Sequence, residues 1–146
     1  MKPIAKLYML ILIFSIIFDI FVSHIPKVMA EDNDWSSAGN LLKQERNYTG
    51  AIVAYNKALE IDPNYKWSLS NKGWALNELG NYTQAITYLN KALEIDPKHI
   101  DAFIFKGQSL YGLGNQTEAK YYFDKALEID PNNELAKRIY NNLIKK

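Results

Sequence analysis

The sequence predicts an all-α solenoid of antiparallel helix pairs ended by a capping helix, and three observations carry that expectation. The hexapeptide Ala-Leu-Glu-Ile-Asp-Pro occurs three times, ending at Pro63, Pro97 and Pro131, a constant spacing of 34 residues. In the middle interval Leu69, Lys72-Gly73, Leu76 and Leu79 form one stripe at helical spacing, Gly80-Asn81 breaks it, and Ala85, Ile86, Leu89, Ala92 and Leu93 form a second. Small residues recur in phase: Gly39, Gly73 and Gly107 in the first stripe, then Ala51, Ala85, Ala119 and Ala58, Ala92, Ala126 in the second. A period of this length marks one supersecondary unit copied in tandem, each copy burying its apolar face only when a neighbour stacks on it.

The first element differs in kind from the rest. Lys2 and Lys6 precede an apolar run from Leu7 to Phe18, and Pro26 and Val28-Met29-Ala30 stand ahead of an acidic stretch beginning at Glu31. A positive n-region, an apolar h-region of about 7–15 residues and small residues before a cut are the order of a secretory signal peptide. Residues 1–30 are therefore expected to be a signal peptide cut after Ala30. The alternative is an uncleaved membrane anchor, because apolar character resumes at Ile20, Phe21 and Val22. A span needs about 20 residues, and Asp19 would be costly away from the membrane interface. Either way Lys2 and Lys6 stay on the cytoplasmic side. The repeats are then extracytoplasmic, secreted or in the cell envelope, or held outside by the anchor.

Alignment on the prolines gives units 32–65, 66–99 and 100–133, followed by 134–146. Bulky residues repeat opposite the small ones: Trp35, Leu69 and Phe103 share one position, Leu42, Leu76 and Leu110 another, and Tyr55, Leu89 and Phe123 a third. Glycine inside a helix costs about 1 kcal/mol against alanine, so its recurrence implies a close helix approach that needs it. Asn47, Asn81 and Asn115 fall at the turn before each second helix, where asparagine serves as N-cap. Asp-Pro closes each second helix, since proline disfavours helical geometry in the residue before it. In unit three, Gln116 and Lys120 replace the Tyr and Ile of the earlier copies, so that copy should be the most solvated. Leu135, Arg138, Ile139, Asn142 and Leu143 in the tail read as one amphipathic capping helix with the wet outer face that a terminal unit needs.

Small residues, aromatics and proline at these spacings resemble the tetratricopeptide repeat, whose signature includes an alanine, three residues, then an aromatic, and a proline near the unit's end. Ala51-Ile-Val-Ala-Tyr55 and Ala119-Lys-Tyr-Tyr-Phe123 match it, and the segment from Ala85 to Leu89 departs only by its leucine. The resemblance implies a tetratricopeptide-type α-solenoid whose first helices line a concave groove for a peptide or protein segment. It places Asn33, Ser36, Ser37, Asn40 and Lys43 on that face in unit one. Unit two supplies Trp67, Ser70, Asn71, Trp74, Asn77 and Glu78, and unit three Asp101, Ile104, Phe105, Gln108 and Tyr111. Trp67 and Trp74 are seven residues apart, hence on one helix face, and have no counterpart in the other units, so they read as surplus to packing. One subclass of the family clamps the C-terminal carboxylate of heat-shock chaperones with two asparagines and three basic side chains. Asn40 and Asn71 fall on the asparagine positions, but Ser36, Asp101 and Phe105 occupy the basic ones. The charge that would hold a carboxylate there is missing.

Composition excludes several classes. Lys and Arg number 17 against 16 Asp and Glu, a formal charge of +1, so no global field recruits nucleic acid. Cysteine is absent, which removes disulfides and thiolate chemistry, and the two histidines, His24 and His99, cannot assemble a metal site or a Ser-His-Asp arrangement in the exported part. Glu60, Glu94 and Glu128, like Asp62, Asp96 and Asp130, repeat with the period and so lie on separate units rather than converging as an acid/base pair. No enzyme, cofactor or metal is expected. Asn47-Tyr-Thr49, Asn81-Tyr-Thr83 and Asn115-Gln-Thr117 are also N-glycosylation acceptor sequences, which export would open to modification. The expected function is an adaptor or scaffold of an exported or envelope complex. The alternative is a structural module that self-associates as a homo-oligomer through its ends.

Overall fold

Each 34-residue unit folds as two helices joined by a tight turn. The computed structural model describes residues 32–144; the expected signal or anchor at 1–30 lies outside them, as do the side chains of Asn33 and Leu143. Unit one is α1 (Asp32–Gln44) and α2 (Tyr48–Ile61), unit two α3 (Lys66–Glu78) and α4 (Tyr82–Ile95), unit three α5 (Ile100–Gly112) and α6 (Gln116–Ile129). A last helix, α7 (Glu134–Ile144), packs on α6.

The breaks are made by the same chemistry in every copy. The Asn47, Asn81 and Asn115 side-chain oxygens accept the N–H of Gly50 (3.0 Å), Gln84 (3.4 Å) and Glu118 (3.2 Å), satisfying one of the unpaired amides at each second-helix N-terminus. Between units, Asp62, Asp96 and Asp130 accept from the N–H of Asn64 (2.9 Å), Lys98 (3.0 Å) and Asn132 (3.0 Å), an Asx turn copied three times. The recurring aspartates are thus turn formers.

One break departs from the pattern. The residue before each capping asparagine adopts positive φ, and it is Gly80 (φ 75°) and Gly114 (φ 83°) in units two and three but Arg46 (φ 61°) in unit one. A side chain in the left-handed region costs roughly 1–2 kcal/mol. Arg46→Gly should therefore stabilise the fold, by about 0.5–1 kcal/mol after loss of the Arg46 Nε bond to Tyr48 Oη (3.3 Å). A lower thermal midpoint in the variant would contradict this.

The core lies where small and large positions meet. Leu69, Leu76, Leu89, Leu110 and Phe123 are buried with Ala85, Ala92, Ala119 and Ala126. Trp35 departs from its expected role: it is 37% exposed whereas Leu69 at the same position is 2% exposed, because the described residues include no unit ahead of α1 to cover it. Gln116 and Lys120 are exposed, as their polar substitution implied. First helices touch the first helices of adjacent units, α1 on α3 and α3 on α5, while successive second helices make no comparable contact. The first-helix layer is therefore the inner face of the stack.

Candidate functional site

Helices α1, α3 and α5 present one continuous face, and the side chains expected on it take different roles. Asn77, named as a groove residue, is only 8% exposed: its Nδ2 donates to the Phe105 carbonyl (2.8 Å) and its Oδ1 accepts from the Ser109 hydroxyl (2.7 Å). It ties α3 to α5, with both ends of its amide engaged inside the helix junction rather than presented to a ligand. Phe105 is 6% exposed and belongs to the core edge. Asn40 accepts from the buried Tyr55 hydroxyl (2.9 Å), joining α1 to α2; burial pushes that phenol's pKa well above its usual range. The half-buried Tyr111 packs on the core.

The residues left facing solvent converge around Trp74. Its half-buried ring meets Tyr48 edge-on (5.4 Å between centroids, 81°) and tilts over Phe105 (6.5 Å), so it does pack, contrary to its expected surplus to packing. Lys43 Nζ stands 4.7 Å from the Trp74 ring centroid and donates to Asn71 Oδ1 (2.9 Å). Burial lowers the pKa of this ammonium, against the opposing pull of the Asp101 carboxylate. A cavity of about 390 Å³ opens here, lined by Lys43, Trp74, Glu78, Phe105, Gln108 and, from the capping helix, Leu135, Arg138 and Ile139. Gln108 Oε1 is buried beside it with no hydrogen-bond partner. An unpaired buried amide oxygen costs about 1–3 kcal/mol, and this one is closed to solvent, so it would meet a ligand donor only with the side chain turned into the cavity.

Trp67 opens elsewhere. Its ring, 43% exposed, stands edge-on to His99 (4.7 Å, 87°) beside a separate cavity of about 250 Å³ with Asp96, Lys98, Asp101 and Asn133. His99 is 4% exposed and hydrogen-bonded through Nε2 to Ser70 Oγ (3.0 Å). Burial pushes its pKa down. Lys66 pairs with Asp96 (2.6 Å) across the same inter-unit junction and holds that carboxyl below its usual range. The two tryptophans share a helix face but not a cavity.

Two contributors went unread in the sequence. Tyr48 precedes the first repeat of the signature alanine and supports Trp74 from the second-helix layer. Leu135, Arg138 and Ile139 belong to the expected cap, yet they also follow Asp101, Ile104 and Phe105 by 34 residues. Carrying the period past the last proline would have shown that α7 occupies a first-helix position and so borders the face. Among the described residues no group of three or more His, Asp or Glu side chains is placed to hold a metal ion, and no helix is long and apolar enough to cross a membrane.

Family models described as tetratricopeptide repeat match residues 34–65, 67–99 and 100–133. No curated protein sequence matches the chain. Among solved structures, the tetratricopeptide-repeat domain of Arabidopsis OM64 is 26% identical with a TM-score of 0.72, covering 78% of this chain and 94% of that one. The second such domain of human RPAP3, solved with an HSP70 peptide, is 26% identical with a TM-score of 0.71, covering 83% and 99%. The domain of Sgt2 from Aspergillus fumigatus is 26% identical with a TM-score of 0.72, covering 82% and 83%.

Proposed function

The chain belongs to the tetratricopeptide-repeat family, three units and a capping helix, and on that premise we propose that its first-helix face captures a peptide or protein segment as a non-catalytic adaptor. The observation that carries this reading is the Trp74 cavity: a half-buried aromatic and a cation at Lys43 meet in one open concavity whose wall includes Gln108, with its Oε1 buried and unpartnered. Rigid aromatics in desolvated pockets are the usual anchors of interfaces. An apolar side chain of a bound segment would lie on Trp74 and Ile139, and a backbone N–H would satisfy Gln108 once its amide turns toward the cavity.

The RPAP3 domain holds a chaperone peptide, but this chain has Ser36, Asp101 and Phe105 where a carboxylate clamp would need bases. Lys43 is the cation nearest to Asn71, and Asp101 counters it. The ligand we propose is accordingly an internal segment with an apolar anchor, not a chaperone C-terminus. We also propose that the protein works outside the cytoplasm, on the pattern of residues 1–30. Asn47, Asn81 and Asn115 are exposed, which leaves them open to glycosylation where the host supplies it; intact mass of the exported protein reads both the cut after Ala30 and any glycan.

Selection from a phage-displayed library of random peptides tests the groove. Peptides recovered on the wild type should bind Trp74→Ala at least about thirtyfold more weakly, the scale of a hot-spot truncation, with Trp67→Ala less affected. Failure to recover any peptide, or equal binding to a folded Trp74→Ala, would sink the proposal.

A further inference from the structure

A second site lies on the opposite side of α3. Lys72 follows two residues before Trp74, so at 3.6 residues per turn it points away from the inner face. It is a lysine only 7% exposed, and its Nζ stands 3.6 Å from the Tyr88 ring centroid. Among the described residues no carboxylate or other acceptor is within bonding distance of that ammonium, which carries three donors. Lys91 Nζ also lies near this ring, 5.8 Å from the centroid. The ammonium of Lys72 borders a cavity of about 380 Å³ between α2, α3 and α4, lined also by Asn56, Leu59, Glu60 and Leu69. Glu60 is already paired with Lys57 (2.8 Å). The cavity therefore carries positive charge without an acceptor.

Unit three copies the lysine–ring pair. Lys106 Nζ lies 4.2 Å from the Tyr122 centroid, and Lys106 lines a cavity of about 520 Å³ with Asn90, Glu94, Phe103 and Lys125. There Lys125 is paired with Glu128 (2.7 Å), leaving Lys106, among the described residues, as the free cation of a cavity that also holds the Glu94 carboxylate. Unit one has Ala38 and Ala54 in place of the lysine and tyrosine, so packing of the repeat does not require the pair. Covering apolar surface with a lysine stem is common, but a stem that only covers carries its charge into water. Here the ammonium lies on a ring face and meets solvent at a concavity large enough for a ligand group.

We propose that the Lys72 and Lys106 cavities bind carboxylate side chains of an extended acidic peptide segment lying across the α2–α4–α6 side, one carboxylate per cavity. Lys72 and Lys106 occupy equivalent positions on α3 and α5, first helices that touch directly; packed helices lie about 8–10 Å apart and an extended strand advances about 3.3 Å per residue, so acidic residues three apart match one solenoid step. The aromatic ring supports the ammonium from below while the ligand carboxylate completes its donors from above. This site is independent of the Trp74 groove.

The test uses a capped peptide with glutamate at every third position among glycine and serine, and the same peptide with glutamine, titrated into isotopically labelled protein and followed by NMR. The glutamate peptide should perturb resonances of Lys72, Tyr88, Lys106 and Tyr122, weaken as salt rises, and bind Lys72→Met about tenfold more weakly, the loss of one charged hydrogen bond. Methionine keeps the buried stem, and a circular-dichroism melt confirms folding. Should Lys72→Met not fold, Lys106→Met reads the second cavity in the same way. Equal binding of the glutamine peptide, equal binding by the folded lysine variants, or shifts confined to Trp74 and its neighbours would overturn the proposal.

Discussion

Replacing Gly73 with alanine is expected to destabilise the protein by about 1–3 kcal/mol, the range for overpacking a core, although alanine is the better helix former by about 1 kcal/mol. A Cβ at Gly73 would stand 2.6 Å from Leu89 Cγ and 2.8 Å from Cδ2. Leu89 is fully buried among core residues, so it has nowhere to move. Two opposing terms are thus in play and the steric one wins. The same holds one unit on, where a Cβ at Gly107 would lie 2.7 Å from the Phe123 ring, and one unit back, at 2.4 Å from Tyr55. Chemical denaturation of Gly73→Ala measures it. A midpoint equal to or above wild type would show that the helices can separate without loss, and with that the account of why glycine recurs would fail.

Removing Glu134 to Lys146 is expected to cost more. Ala136 is fully buried, and Leu135, Ile139 and Tyr140 pack on the core cluster. At about 25 cal/mol per Å² of apolar surface returned to water, these side chains and the α6 surface beneath them amount to roughly 3–5 kcal/mol. Against a typical stability of about 5–15 kcal/mol, that loss should drop the urea midpoint steeply and promote association through the exposed α6 flank. Because α7 also supplies Leu135, Arg138 and Ile139 to the Trp74 cavity, the truncation should lose any groove ligand as well. A monomeric, fully cooperative truncation with an unchanged midpoint would show that three units suffice.

The fold was legible because it is written three times. Asparagine caps, Asp-Pro turns and glycine-to-bulky pairings each appear in register, and a local signal repeated at a fixed period leaves one arrangement that buries every copy. The site was less legible because its residues are defined by neighbours from other units. Asn77 is polar and on the correct face, yet Phe105 and Ser109, 28 and 32 residues on, occupy its amide. Trp67 and Trp74 look equivalent by spacing, yet His99 meets one and Tyr48 the other, and two cavities result. Nothing in the sequence separates Lys72 from a surface lysine; only the fold brings the Tyr88 ring against its ammonium.

The 34-residue period by itself determined the helix count per unit, the caps, the turns and the stacking order, since these depend on contacts close in sequence or one repeat apart. Only the tertiary structure decided which polar groups remain free: hydrogen-bond capacity is finite, and whether Asn77, Gln108 or Lys72 retains any depends on atoms that stacking brings within about 3 Å.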